Sequence, residues 1–277
     1  MIRPFWWIRP CLAAIALGLL APMAQAQTVP GVRLGLEGSF YDYSESAAGT
    51  RSGGTLDRQV GAGFGVTAAD SFVFANGFVT VDARVGAAAT RYAAPGLPAI
   101  APVWNPIGET RAVVGTDFRV SASTVVSPFA GLGYRVLYDD LDGGRVQQYL
   151  YVPVGISVGV TSGPWVLRPT VEFDGLLQGW NDTSLGAVGY SNDVHFRQSG
   201  GYGLRASFDV ETDSPWGRVS MGPFVRYWSI NASNVAYATG STCFGRGAGC
   251  VGTTARQGFF EPQNMTVESG LAVTLRF

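Results

Sequence analysis

Apolar and polar positions alternate along most of this chain with a period of two. The C-terminal segment is the clearest case: large apolar residues stand at Leu271, Val273, Leu275 and Phe277, with Ala272, Thr274 and Arg276 between them. Such alternation predicts strands with one apolar and one polar face. Ten segments carry it, near 31–43, 58–69, 77–91, 109–120, 125–138, 147–160, 165–178, 198–211, 217–230 and 264–277. Each keeps a consistent parity. Val32, Leu34, Leu36 and Phe40 share one face of the first, Leu150, Val152, Val154, Ile156 and Val158 one face of the sixth.

The charges fall on the other face. Arg33, Glu37, Asp82, Arg84, Arg111, Asp117, Arg119, Arg135, Arg168, Glu172, Asp174, Arg205, Asp209, Arg226, Glu268 and Arg276 all have the parity opposite to the apolar set. An all-β chain that is apolar outside and charged inside predicts a transmembrane antiparallel up-and-down β-barrel. Arginine on the lipid face costs roughly 2–4 kcal/mol at midplane, whereas facing the lumen it can pair. Nine arginines and seven carboxylates in this inward set are nearly balanced. A narrow or plugged lumen is therefore expected, because buried guanidiniums need matched carboxylates.

The strand ending on Phe277 resembles the closing strand of bacterial outer-membrane barrels, whose terminal aromatic is read by the barrel assembly machinery. The implied partners are that machinery and outer-membrane lipid. Ser127-Pro128-Phe129-Ala130-Gly131-Leu132-Gly133-Tyr134-Arg135 and Tyr149-Leu150-Tyr151-Val152-Pro153-Val154-Gly155 are similar to strands of the porin-like families. These strings imply a fold and no particular activity. The implied location is the outer membrane of a Gram-negative bacterium.

The N-terminus agrees. Arg3 and Arg9 precede an apolar run from Cys11 to Leu20, and Ala24-Gln25-Ala26 fits a cleavage site. Residues 1–26 read as a signal peptide and 27–277 as a single barrel domain. The apolar run is shorter than the roughly 20 residues of a spanning helix. The remaining length, about 250 residues, suits roughly 8 to 12 strands. Ten is the count read, and eight or twelve would follow from a miscounted hairpin.

Connections alternate in length. Ser121–Thr124, Thr161–Trp165 and Thr212–Trp216 are tight, and Asp70–Gly77 is slightly longer. Trp165 and Trp216 each follow a proline turn, as expected at a bilayer interface. The connections 44–57, 92–108, 139–146, 179–197 and 231–263 are long, and are read as outer loops that contact the surroundings. Cys243 and Cys250 flank a Gly-rich stretch, and an oxidising compartment makes a disulfide between them the expectation.

Composition adds little about partners. Removing Arg3 and Arg9 takes the formal charge from −1 to about −3, which offers nothing to nucleic acid. All 19 basic residues are arginine. No phosphate-binding glycine pattern and no zinc spacing is present, so no cofactor and no metal is expected. Asp139-Asp140-Leu141-Asp142 lacks the spacing of a calcium loop and reads as a solvated turn.

The single histidine is His195, two residues after Asp193 in the fourth long connection. In an extended chain the two share a face, so the carboxylate can polarise the imidazole. This Asp-x-His resembles the Asp/His pair of the omptins, endopeptidases on ten-stranded outer-membrane barrels. The resemblance implies peptide hydrolysis, with an Asp-x-Asp pair opposite in the second outer loop. Here Tyr92–Gly108 contains no carboxylate. The leading reading is a non-enzymatic outer-membrane barrel whose loops meet an unidentified surface ligand. A small passive pore is the alternative, and an omptin-like protease ranks third.

Overall fold

The computed structural model describes residues 28–46, 55–75, 77–141, 144–241 and 254–277. The signal segment, Cys243, Cys250 and Asp142 lie outside the described residues.

The strands are β1 (Gly31–Ser46), β2 (Thr55–Phe74), β3 (Gly77–Ala93), β4 (Ile100–Thr116), β5 (Phe118–Arg119), β6 (Thr124–Asp139) and β7 (Arg145–Ser162). Then follow β8 (Trp165–Thr183), β9 (Val194–Gln198), β10 (Gly201–Ser214), β11 (Gly217–Ile230), β12 (Ala236–Ser241), β13 (Thr254–Phe259) and β14 (Gln263–Arg276). Ten long strands close into one antiparallel barrel in the order β10-β11-β14-β1-β2-β3-β4-β6-β7-β8, with β8 pairing back to β10. The chain's first and last strands meet, from Arg33 opposite Arg276 to Ser46 opposite Gln263. Closure leaves no unpaired edge in the hydrocarbon, where water cannot satisfy backbone groups.

Period-two parity holds around the barrel. Leu36, Val85 and Leu271 are about two-thirds exposed on the outer wall, while Glu37, Arg84 and Glu268 beside them are buried inside. The outer apolar stripe of β1 runs from Val32 to Phe40, and the next outward residue, Asp42, binds Arg58 of β2. That ion pair marks the outer rim of the lipid belt. At the opposite rim Phe72, Phe74, Phe118, Trp165, Trp216 and Phe277 are all exposed. The start of β1 and the end of β14 both lie at this second rim, together with the short turns.

The strands run further than their sequence pattern indicated. Asp70–Phe74 belongs to β2, β3 begins at Gly77, and Ala75 stands at φ 49. The expected long connection 92–108 shortens to 94–99. Val103, Asn105 and Ile107 are buried inside and hold that stretch in the sheet. Thr90 donates to the Val103 carbonyl at 3.1 Å and accepts from Asn105 at 2.9 Å. In the connection 179–197, β8 continues to Thr183, a single 3-10 turn spans Leu185–Val188, and β9 returns along β8. The connection 231–263 carries the β12–β13 hairpin.

One predicted lumenal charge is misplaced. Arg119, in the two-residue β5, is exposed at the end of the barrel and donates to the Ala122 carbonyl at 3.3 Å. It lies opposite the buried Val125, so its parity is kept, but it stands at the rim, where the alternation cannot tell lumen from solvent.

The outer wall yields a test. Leu36→Arg places a guanidinium on the lipid belt, and should destabilise the barrel by about 2–4 kcal/mol in urea unfolding in lipid vesicles. The same substitution at Ser44, beyond the Asp42–Arg58 rim, should shift the midpoint by far less.

Candidate functional site

Three levels of side chains fill the interior, and each follows from inward parity on neighbouring strands. At the middle level the arginines interlock with carboxylates. Glu268 of β14 accepts from Arg84 of β3 at 2.5 Å and from Arg135 of β6 at 3.1 Å. Glu37 of β1 pairs with Arg84 and, at 2.7 Å, with Arg226 of β11. Arg111 of β4 bridges Asp82 at 2.9 Å and Glu172 at 2.6 Å. Arg205 of β10 bonds Asp174 at 2.6 Å and is clasped by Glu109. These pairs span β1, β3, β4, β6, β8, β10, β11 and β14, so they tie opposite walls together.

Aromatic rings sit directly among them. Trp228 is 1% exposed and Tyr151 is fully buried. Their rings meet edge to face at 5.0 Å, and Tyr149 stacks on Trp228 at 6.2 Å. The Arg135 and Arg205 guanidiniums stand 5.4 and 5.7 Å from the Trp228 centroid, a cation–π distance. Tyr151 also donates to Glu109 at 2.6 Å. Glycine makes the space: a Cβ at Gly133 would come within 2.2 Å of the Tyr151 ring, and one at Gly203 within 3.0 Å of Trp228.

Above this layer lies a bowl between the outer connections, a cavity of about 630 Å³. Its walls are largely apolar: Leu185, Val194, Phe196, Phe259 and Phe260, with Tyr190 edge-on to Phe259 at 5.1 Å. Its floor is ionic. Arg145, at the outer start of β7, binds Glu45 at 2.5 Å, Asp139 at 2.9 Å and Glu261 at 3.0 Å. Gln147 donates to Glu261 at 3.1 Å, and Tyr43 donates to Glu45 at 2.7 Å. Three carboxylates around one guanidinium leave the floor with excess negative charge. Burial, reinforced by Glu45 and opposed by Arg145, pushes the Glu261 carboxyl up to about 8.

The third level is the periplasmic end. Arg168 binds Glu211 at 2.7 Å, and Asp209 accepts from the Ser207 hydroxyl at 3.3 Å. Asp117 accepts from the Thr28 backbone at 2.9 Å and from Ser127 at 2.6 Å, which draws the N-terminal segment across the mouth.

The predicted lumenal residues Arg84, Arg111, Arg168, Glu172, Asp174, Arg205, Asp209, Arg226 and Glu268 thus face inward, and most of them join one network. Sequence reasoning passed over Glu109, Tyr149, Tyr151 and Trp228, although each has inward parity on its strand. It also passed over Glu45, Arg145 and Glu261, which stood in stretches read as loops.

His195 does not use Asp193. Its Nδ1 lies 2.6 Å from Asp182 of β8, and Asp193 accepts instead from the Gly186 backbone at 2.9 Å. Strand β9 explains this. Val194 and Phe196 turn into the bowl, so His195 and Arg197 point to the opposite, exposed face. The histidine sits across the strand from the cavity, and Asp182 is the only carboxylate in ion-pair contact with it among the described residues. Asp139 of the acidic run is likewise drawn inward to Arg145, while Asp140 accepts from Tyr138 at 3.0 Å.

No family model matches the sequence, and no curated protein does. Solved structures do. The outer membrane protease OmpT from Escherichia coli superposes with a TM-score of 0.54 at 7% identity, over 91% of this chain and 99% of that one. The translocator domain of the autotransporter NalP from Neisseria meningitidis gives 0.39 at 12% identity, over 91% and 90%. The chain is a transmembrane barrel of the outer-membrane type, as its alternation implied. At this identity the likeness extends to the fold alone.

The interior network yields a second test. Glu268→Ala strands Arg135 in a buried layer and takes one of the two carboxylates of Arg84, and should cost about 3–5 kcal/mol in vesicle unfolding. His195→Ala removes only an exposed pair and should leave the unfolding midpoint unchanged.

Proposed function

We propose that this barrel is a non-conducting, non-enzymatic surface-binding protein. Its outer bowl receives a ligand with an apolar body and a positively charged head. The observation that carries the reading is the bowl itself: a cavity with aromatic walls is lined also by Glu45, Arg145 and Glu261, and Asp139 binds the same guanidinium. A cavity of this size matches small-molecule sites, which are mostly apolar with a few placed polar groups. The aromatic walls suit a cation through their ring faces.

Non-conduction is supported by the layer beneath. Trp228, Tyr151, Arg135, Glu268 and Asp174 are each at most 1% exposed, and they belong to strands on different sides of the barrel. A hydrated solute would have to separate paired charges that have little access to water.

Two measurements test this. In planar bilayers the mature protein should show no steady single-channel steps, and Trp228→Ala combined with Tyr151→Ala should produce them. Steady steps from the unmodified barrel would establish the pore instead. Benzyltrimethylammonium, whose charge does not titrate, should bind with an affinity that rises with pH. Below pH 8 Glu261 holds its proton and the floor loses one negative charge. Above it the carboxylate is free to face the cation. A pKa drop of one unit on binding gives about a fivefold to tenfold gain from pH 6.5 to 9. Glu261→Gln should flatten that profile, and tighter binding of the uncharged isostere neopentylbenzene would refute the charge assignment.

A further inference from the structure

We infer that the periplasmic end of the barrel holds a second site, one that binds a tetrahedral oxyanion such as inorganic phosphate between Arg33 and Arg276. The register places three arginines abreast. Arg33 of β1 lies opposite Arg276 of β14, and Arg276 lies opposite Arg218 of β11. Directly opposed residues of antiparallel strands point to the same face, so the three guanidiniums line one wall. Like charges in that arrangement destabilise a sheet unless something neutralises them.

The protein neutralises only part of the row. Arg218 pairs with Asp213 at 2.9 Å and reaches Glu211 at 3.9 Å, and Arg168 holds Glu211. Among the described residues neither Arg33 nor Arg276 has an ion-pair partner. Arg33 Nε, Arg276 Nε and Arg276 Nη1 are also shielded from solvent without a hydrogen-bond partner. A buried donor left unmade is costly, and more so on a charged group. Around this wall Arg33, Arg111, Arg168, Arg218 and Arg276 meet Asp82, Glu172, Asp209, Glu211 and Asp213, but among the described residues the ion pairs fall on Arg111, Arg168 and Arg218 and leave Arg33 and Arg276 without one. Asp213 is mostly exposed to solvent.

The space beside them fits an anion. Arg33, Arg168 and Arg276 line a cavity of about 240 Å³ whose other walls carry the hydroxyls of Ser71, Thr80 and Thr170. Arginine donors with rotatable hydroxyls suit the oxygens of a phosphate or sulfate group. Asp82, Glu172 and Asp209 also line the cavity and oppose an anion, but Arg111, on the same lining, bridges the first two, and Asp209 accepts from the Ser207 hydroxyl. A lipid headgroup is disfavoured as the source, because the closed sheet separates this wall from the bilayer. The expected occupant is therefore a free phosphate or phosphomonoester entering from the periplasm.

The test uses the mature barrel refolded in detergent micelles, with inorganic phosphate titrated against chloride at constant ionic strength. Calorimetry should show saturable phosphate binding, and saturation should raise the thermal midpoint. Arg33→Gln and Arg276→Gln should each weaken binding about tenfold or more, as expected for losing a charged hydrogen-bonding partner. Without phosphate the same substitutions should leave the barrel as stable or more stable, since each removes a like-charge opposition. Arg33→Gln stands outside the C-terminal strand, so it reports even if Arg276→Gln impairs folding. Equal stabilisation by chloride and phosphate would reduce the effect to screening and overturn the inference. So would phosphate binding that neither substitution weakens, or no saturable binding at all.

Discussion

The seam between the first and last strands is the constraint on which the rest depends. From Arg33 opposite Arg276 to Ser46 opposite Gln263, β1 and β14 complete each other's hydrogen bonds. An open edge in hydrocarbon would leave a row of backbone groups unpaired, each at several kcal/mol. Once the sheet closes, every residue must face either lipid or a narrow interior, and the chain has no third place for a side chain. The strict alternation of Leu34, Leu36 and Phe40 with Arg33 and Glu37 follows from that geometry.

The interior then poses its own problem. A ten-stranded cylinder leaves more room than aliphatic packing fills, and this chain fills it with arginines, carboxylates and rings. The arrangement is internally matched: Arg84 lies between Glu37 and Glu268, Arg111 between Asp82 and Glu172, and Arg205 between Glu109 and Asp174. Each arginine contacts carboxylates of two strands or more, so the network braces the barrel across its diameter. Trp228 and Tyr151 supply the apolar filling and the ring faces on which two guanidiniums rest. Such a layer resists solvation because its charges are paired across the barrel.

The two ends differ in charge balance, and that difference gives each its character. Toward the outside, one guanidinium serves three carboxylates beneath apolar walls. Toward the periplasm, three arginines stand side by side, and two of them have no ion-pair partner among the described residues. The middle layer separates the two, so an outer cavity acidic at its base and an inner cavity with spare guanidiniums coexist in one barrel.

The sequence by itself determined the fold class, the ten strands and the facing of nearly every charge, because a period of two is a local property. Leu271, Val273 and Arg276 reveal their faces with no knowledge of any other strand. Partners are another matter. That Glu268 serves Arg84 and Arg135, from β3 and β6, depends on closure and stagger between strands far apart in the chain. Proximity in sequence was misleading where a strand continued past its apolar stripe. His195 looked like the companion of Asp193, yet β9 folded back on β8 and gave it Asp182. The bowl floor drew Glu45, Asp139, Arg145 and Glu261 from three separate connections whose composition read as loop. Only the tertiary structure could bring them together, since electrostatic pairing acts through space and the alternation of a strand records only which way each residue points.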